Sequence, residues 1–115
     1  MHGIAADAPV PVEIVADPVD LDAATAQTLG IVTNELVTNA FRHGVPPIVI
    51  HLTEGDETRL RVEDRGGAAL QSAGSGLGLS LVRRLVEQGL GGRFELRATP
   101  GAGTCAEVVF SKGAR

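Results

Sequence analysis

Residues 34–44 read NELVTNAFRHG and form the C-terminal half of the longest helix that the sequence predicts. This helix spans residues 23–43, with Asp20 or Asp22 as its N-cap, and Gly44 followed by two prolines ends it. At about 100° per residue, one arc of the helix carries small and apolar side chains, which suits packing on a second layer of structure. The residues on that arc are Leu29, Thr33, Leu36, Val37 and Ala40.

Short β-rich runs lie on both sides of this helix. Residues 10–15 (VPVEIV) predict a strand at the edge of a sheet, because a proline such as Pro11 is tolerated in a strand only at an edge. After the helix the pattern predicts a hairpin, a second helix and another hairpin. These elements span residues 48–53, 58–64, 77–88, 93–99 and 104–110. The order β-α-β-β-α-β-β predicts an α/β fold, a two-layer sandwich whose sheet is mixed and mostly antiparallel, with the helices on one face.

The second predicted helix is amphipathic. Its apolar side chains are predicted to face the sheet and its charged side chains to face solvent. The inward set is Leu81, Val82, Leu85 and Val86, and the outward set is Arg83, Arg84 and Glu87. Neither an internal repeat nor a domain boundary is visible, so all of these elements are assigned to one domain.

Length and composition limit the classes of protein to which the chain can belong. Its 115 residues allow one domain with a modest core, and residues 1–9 are predicted to be a disordered tail. The net charge of −4 gives no general reason to bind nucleic acid or a membrane surface. The single cysteine, Cys105, excludes an internal disulfide and a multi-cysteine zinc site. Because no apolar run approaches the ~20 residues of a membrane-spanning helix and the start lacks signal-peptide features, we expect a cytoplasmic protein.

The long helix carries a polar stripe beside its apolar arc. Glu35, Asn39 and Arg42 follow one another at i, i+4 and i+7, and the stripe borders the apolar face through Val32 and His43. A carboxylate and an amide can bind a hard cation through oxygen, and a guanidinium can bind a phosphate, so the stripe suits the wall of a cleft. On spacing alone, an ordinary solvated helix face explains the same residues.

Two glycine-rich segments are the other candidates for a site. In residues 62–67 (VEDRGG), Asp64 ends a strand and can accept a hydrogen bond from a base or a sugar, while the glycines let backbone approach the ligand. In residues 74–79 (GSGLGL), glycines precede a helix, where free amides and the helix dipole favour a phosphate. A plain strand-end turn and a mobile glycine loop are the alternatives.

Two better-known phosphate-binding motifs do not fit. The glycines of residues 74–78 run G-x-G-x-G rather than G-x-G-x-x-G, and the preceding strand ends about ten residues earlier, near Asp64. Glu95 lies about 20 residues further on, as a ribose-binding acid would, but the chain is short for a doubly wound sheet and shows hairpins. The pattern G-x-x-x-x-G-K-[ST] is absent.

Together these segments resemble the ATP-binding catalytic domain of the GHKL superfamily, and most closely that of bacterial sensor histidine kinases of the HWE and related type. The resemblance covers residues 10–110. The matching segments are residues 34–44 (N box), 62–67 (first glycine box), 74–96 (GSGLGLSLVRRLVEQGLGGRFEL, second glycine box with its helix and strand) and 101–110 (GAGTCAEVVF, closing strand). The resemblance implies a Bergerat-type α/β sandwich at residues 10–115 that binds ATP and Mg²⁺ between its helices and its sheet.

The same resemblance implies roles at the phosphate end of the nucleotide. Asn39 would coordinate Mg²⁺, and Glu35 would be the catalytic polar or basic group beside the γ-phosphate. Arg42 and His43 stand where relatives often place phosphate-contacting side chains. The residues that would line the triphosphate are Gly74, Gly76, Leu77 and Gly78.

At the other end of the nucleotide the resemblance implies contacts to the base. Asp64 would accept the adenine amino group, Gly66 would let the base approach, and Thr104 would support the adenine end. Cys105 is predicted to be a small buried hydrophobe with no assigned role.

The resemblance also implies partners outside this chain. None of His2, His43 and His51 lies in a helix that looks like a phosphoacceptor site, so the γ-phosphate would go to a histidine on a separate dimerisation domain, with a response regulator downstream. Two alternatives stay open, because Arg65 and Ala68 depart from the family pattern and only six residues separate the two glycine boxes. One is an anti-sigma-factor serine kinase, and the other is a degenerate docking domain for a response regulator.

Overall fold

The computed structural model describes residues 12–66, 77–99 and 103–111. Its elements are β1 (Val12–Ala16), α1 (Ala23–His43), β2 (Ile48–Glu54), β3 (Thr58–Asp64), α2 (Leu77–Arg84) with a π-helical continuation (Leu85–Leu90), β4 (Arg93–Thr99) and β5 (Gly103–Phe110). This is the predicted order, and α1 has the predicted bounds. Asp22 rather than Asp20 is the N-cap, since its Oδ1 accepts a hydrogen bond from the N–H of Thr25 at 2.7 Å. The predicted tail, residues 1–9, lies outside the described residues.

The five strands form one mixed sheet in the order β1-β2-β3-β5-β4. β1 lies at an edge, as predicted, and pairs in parallel with β2, whereas the other neighbouring strands pair in antiparallel fashion. The register of β3 against β5 places Asp64 directly beside Thr104. The two candidate base-binding residues, 40 positions apart in the sequence, thus become neighbours at one end of the central strands.

Helix α1 packs its apolar arc on one face of this sheet. Leu29, Leu36 and Ala40 are buried as predicted, whereas Thr33 and Val37 are only half-buried. Val32, which the periodicity placed at the border of the arc, has no exposed surface at all. The buried arc is therefore shifted toward the polar stripe, which brings the stripe to the edge of the core.

Helix α2 completes the helical layer, with one correction to its predicted inward face. Val82 and Val86 are fully buried and Leu85 packs against the core, but Leu81 is 42% exposed. The buried arc is centred between Val82 and Val86, so Leu81 lies beyond its solvent edge. The predicted single helix also changes to π-helical geometry after Arg84. Among the described residues, no helix is long and apolar enough to cross a bilayer.

In the described residues, the opposite face of the sheet carries charged side chains instead of helices. Glu107, 8% exposed, accepts hydrogen bonds from Arg59 at 2.7 Å and from Arg97 at 3.2 Å. Burial alone would raise the pKa of Glu107, but the two arginine hydrogen bonds together outweigh it and hold the pKa below its ordinary value. On the same face, Cys105 is half-buried rather than buried, and desolvation raises the pKa of its thiol.

Candidate functional site

A small cleft lies between α1, the N-terminal end of α2 and the strands of the sheet. Its wall contains residues from each of these elements: Leu36, Asn39 and Ala40 of α1, Leu79 of α2, and Val62, Asp64, Leu96, Thr104 and Ala106 of the sheet. Three residues proposed from the sequence therefore meet in this cleft: Asn39, Asp64 and Thr104. The remaining walls are apolar, as in many small-molecule sites, and the space that they enclose is small, about 30 Å³.

Asp64 is a buried carboxylate whose two oxygens have different surroundings. It is 7% exposed, at the end of β3. Its Oδ1 accepts hydrogen bonds from the N–H of Gly66 at 2.6 Å and from the N–H of Val45 at 3.3 Å. Among the residues that the structure describes, none donates to Oδ2. One oxygen therefore holds the loop in place, while the other remains an acceptor for a ligand.

Thr104 and two glycines fix the backbone around this carboxylate. The hydroxyl of Thr104 donates to the carbonyl of Gly66, which ties the loop after β3 to β5. A Cβ on Gly66 would lie 2.9 Å from Cγ2 and 3.2 Å from the backbone nitrogen of Val45, so Val45 would have to shift to accommodate a side chain there. Gly103 has φ +104° and its Cβ would collide with the carbonyl oxygen of Asp64. The close approach of β5 to the end of β3 therefore requires glycine.

Asn39 contributes an amide that lacks a partner. Its Nδ2 is buried and has no hydrogen-bond partner in the structure as described. A buried polar atom without a partner destabilises the fold by about 1–3 kcal/mol, so Nδ2 is a donor that a ligand in the cleft could satisfy. Glu35, one turn earlier on α1, is half-buried, and Arg42 is exposed near the end of the helix.

The N-terminal end of α2, which faces the cleft, adds potential hydrogen-bond donors. Leu79 lies in the cleft wall only two residues after Leu77, where α2 begins, and the first turn of a helix leaves its N–H groups without intrahelical partners. Gly78 also belongs to this first turn. Gly74 and Gly76 lie outside the described residues, as do the side chains of Leu77 and His43.

Sequence reasoning missed part of this site. The sequence predicts only that Gly44 ends α1 and gives no role to Val45, yet both lie against Asp64. It places Leu36 in the core but does not predict that Leu36 also lines the cleft. A helix-stopping glycine looks the same in a sequence whether or not a carboxylate occupies the space beside it, so no sequence signal could have distinguished these cases.

The sequence matches a family model over most of its length. The model is described as "Histidine kinase-, DNA gyrase B-, and HSP90-like ATPase" and matches residues 24–114. A curated relative, Blue-light-activated histidine kinase 2 of Erythrobacter litoralis (strain HTCC2594), is 33% identical over 111 residues. That alignment covers 86% of this chain and 31% of the relative, so the chain spans about a third of the relative's length.

Solved structures have the same fold. The histidine kinase domain of the Erythrobacter litoralis EL346 blue-light activated histidine kinase has a TM-score of 0.74 and 29% sequence identity. The match covers 97% of this chain and 56% of that one. The Acinetobacter baumannii histidine kinase AdeS has a TM-score of 0.74 over 93% of this chain and 56% of its own, at 21% identity, which supports the fold alone. The predicted two-layer α/β sandwich is therefore confirmed.

Proposed function

Because the chain belongs to the histidine kinase-, DNA gyrase B- and HSP90-like ATPase family, we propose that it is the ATP-binding catalytic domain of a two-component sensor histidine kinase. The observation that carries this proposal is the cleft in which Asp64 and Thr104 on the sheet face Asn39 on α1. A base-reading carboxylate and a metal-binding amide on opposite walls of one cleft are what a nucleotide with its counterion needs.

Each wall of the cleft has a separate task in this proposal. Asp64 accepts the adenine amino group with Oδ2, while its Oδ1 stays bonded to the N–H groups of Val45 and Gly66. The apolar side chains of Leu79 and Leu96 cover the ring. The phosphates extend toward the first turn of α2, whose N–H groups have no intrahelical partners and, with the helix dipole, stabilise negative charge.

The phosphate end of the site is assigned to the polar stripe of α1. Mg²⁺ fits Asn39, because its carbonyl oxygen is a hard ligand and Mg²⁺ needs few protein ligands beside phosphate oxygens and water. The Nδ2 of Asn39, which has no partner in the described structure, can donate to a phosphate oxygen. When bound, the metal would offset charge on the β- and γ-phosphates. Arg42 would contact phosphate from the helix end, and His43, Gly74, Gly76, Leu77 and Gly78 are assigned there by resemblance alone.

The reaction proposed is phosphoryl transfer to an imidazole nitrogen. The bond between the γ-phosphorus and the bridging oxygen of ADP breaks, and a bond to the histidine nitrogen forms. Glu35 is half-buried one turn from Asn39 and can accept the proton that the imidazole loses. The acceptor histidine lies on a separate helical dimerisation domain, and a response regulator takes the phosphoryl group from it. A cytoplasmic location fits this chemistry and the single free thiol.

Calorimetric titration of the protein with Mg-ADP and Mg-ATP tests the proposal. Saturable heat is expected for the wild type, and Asn39→Ala is expected to weaken binding in the presence of Mg²⁺ more than in its absence. Asn34→Ala is the matched control, since Asn34 is an exposed amide on the same helix. Absence of heat from the wild type at millimolar nucleotide would overturn the proposal and favour the docking-domain alternative.

A second assay separates the two kinase classes. The protein is incubated with labelled ATP and either the helical histidine-bearing domain of a sensor kinase or an antagonist protein of an anti-sigma factor. Acid-labile label on the helical domain is expected, because a phosphoramidate hydrolyses in acid. Acid-stable label on a serine of the antagonist would instead identify an anti-sigma-factor kinase.

A further inference from the structure

Gly44 is the C-cap of α1, and its backbone does not require glycine. Its φ of −93° and ψ of −177° are extended values that any residue adopts. Its N–H donates to the carbonyl of Ala40 at 2.9 Å, which closes the last turn of the helix. Conformational freedom therefore does not explain a glycine at this position, and the explanation must lie in the space around it.

The space that a side chain would need is occupied by Asp64. A Cβ on Gly44 would lie 2.5 Å from Cγ of Asp64 and 2.6 Å from its Oδ2, distances that Cβ atoms do not make. It would also lie 2.7 Å from the carbonyl oxygen of Ala40. The carboxylate thus rests directly on the bare backbone at the end of α1.

We propose that Gly44 is a positioning residue for nucleotide recognition, because its missing side chain lets Asp64 present Oδ2 to the base. This inference rests on the function proposed above. The carboxylate has little freedom to give way, since Oδ1 is bonded to the N–H groups of Val45 and Gly66. A methyl group at position 44 must therefore rotate or displace the carboxylate, and Oδ2 leaves the place where it meets the adenine amino group.

The prediction for Gly44→Ala is a loss of base selectivity rather than of binding in general. Adenine presents an amino donor to Oδ2, whereas hypoxanthine presents a carbonyl oxygen at the same position. We expect the dissociation constant for Mg-ADP to rise at least tenfold and that for Mg-IDP to stay within about twofold of the wild-type value. A merely structural defect would weaken both ligands alike, so the ratio of the two constants identifies positioning.

Two controls isolate the contact. Gly30→Ala on the same helix introduces a Cβ with no atom within 4 Å, so both constants should be unchanged. In the Asp64→Asn background, adding Gly44→Ala should leave the constant for Mg-ADP unchanged, because the interaction through which Gly44 acts is already lost. Retained Mg-IDP binding also shows that the Gly44→Ala variant has folded.

The outcomes separate this inference from the proposed function. If the wild type binds no nucleotide, both fail together. If the wild type binds Mg-ADP and Gly44→Ala binds it equally well, or weakens Mg-ADP and Mg-IDP by the same factor, only the positioning role of Gly44 is overturned. A further loss in the double variant beyond that of Asp64→Asn would likewise show that Gly44 does not act through the carboxylate.

Discussion

Replacing Asp64 by Asn is expected to abolish tight nucleotide binding while the protein stays folded. The asparagine side chain has the shape of the aspartate, so its carbonyl oxygen can still accept the N–H groups of Gly66 and Val45. The other end of the side chain changes from an acceptor to an NH₂ donor. That donor would face the amino group of adenine, so the two groups could not form a hydrogen bond.

The size of the effect follows from these contacts. A hydrogen bond to a charged group contributes about 1.5–3 kcal/mol, which corresponds to a rise of roughly 10- to 150-fold in the dissociation constant for ADP. The free energy of unfolding should fall by about 1 kcal/mol or less, because the bonds to Oδ1 remain but lose their charge. Asp64→Asn should therefore weaken nucleotide binding strongly and lower the stability of the fold only slightly.

Asp64→Ala is expected to weaken both nucleotide binding and the stability of the fold. It removes the acceptor of the N–H groups of Gly66 and Val45. Gly66 is half-buried, whereas Val45 is exposed and its hydrogen bond is long. The loss of the bond to Gly66 therefore dominates, and we expect the free energy of unfolding to fall by about 2 kcal/mol. Nucleotide binding should be lost to the same extent as in Asp64→Asn.

Urea unfolding and calorimetric titration of the same preparations measure both quantities. Asp56→Asn, in the exposed turn between β2 and β3, is the control for loss of an aspartate charge and should change neither. Wild-type affinity for ADP in folded Asp64→Asn would refute the assignment of the base to Oδ2. If Asp64→Asn and Asp64→Ala lowered the free energy of unfolding equally, the proposal that Oδ1 holds the loop through its hydrogen bonds would be refuted.

Two further substitutions test contacts of the fold away from the cleft. Glu107→Gln should lower the free energy of unfolding by about 1 kcal/mol at pH 7, since its arginine partners are partly exposed. The pKa of Glu107 is lower in the folded state than its ordinary value of 4.5 in the unfolded state. The ion pairs therefore stabilise the fold fully at pH values above 4.5, and this stabilisation disappears as the pH falls through the folded-state pKa. Urea titrations should therefore show a smaller difference from wild type at pH 3, and a difference that does not depend on pH would contradict the ion-pair explanation. Asp22→Ala should lower the thermal midpoint by about 4 °C through the loss of roughly 1 kcal/mol of capping at the Thr25 N–H, and an unchanged midpoint would show that the cap contributes little.

Local sequence signals were sufficient for the elements themselves. The capping aspartate and the Gly-x-Pro-Pro sequence at residues 44–47 mark both ends of α1, and the turn at residues 54–57 defines the hairpin of β2 and β3. Signals of this kind act over a few residues, so they can be interpreted before the chain is folded. The error at Leu81 arose because periodicity gives the angle of a side chain around a helix but not the direction from which the neighbouring layer approaches.

The polar residues of the cleft were also candidates before the fold was known. Asn39 can bind a cation through its amide oxygen and Asp64 can accept a hydrogen bond from a base, but a solvated helix face and a strand-end turn explain the same residues, and the four motifs in order made them candidates. Their meeting in one cleft, however, depends on the pairing of β3 with β5 and on α1 lying across that pair. Such contacts join residues far apart in the chain, and sequence spacing does not measure the distance between them.

The amino-acid sequence by itself determined which segments become helix and strand, and which polar groups are available for a nucleotide, because those properties depend on each residue and its near neighbours. Only the tertiary structure decided that the end of α1 rests on the carboxylate of Asp64, and that a glycine is needed there. The physical reason is steric exclusion between segments brought together by folding, since two atoms cannot occupy one place however far apart they lie along the chain.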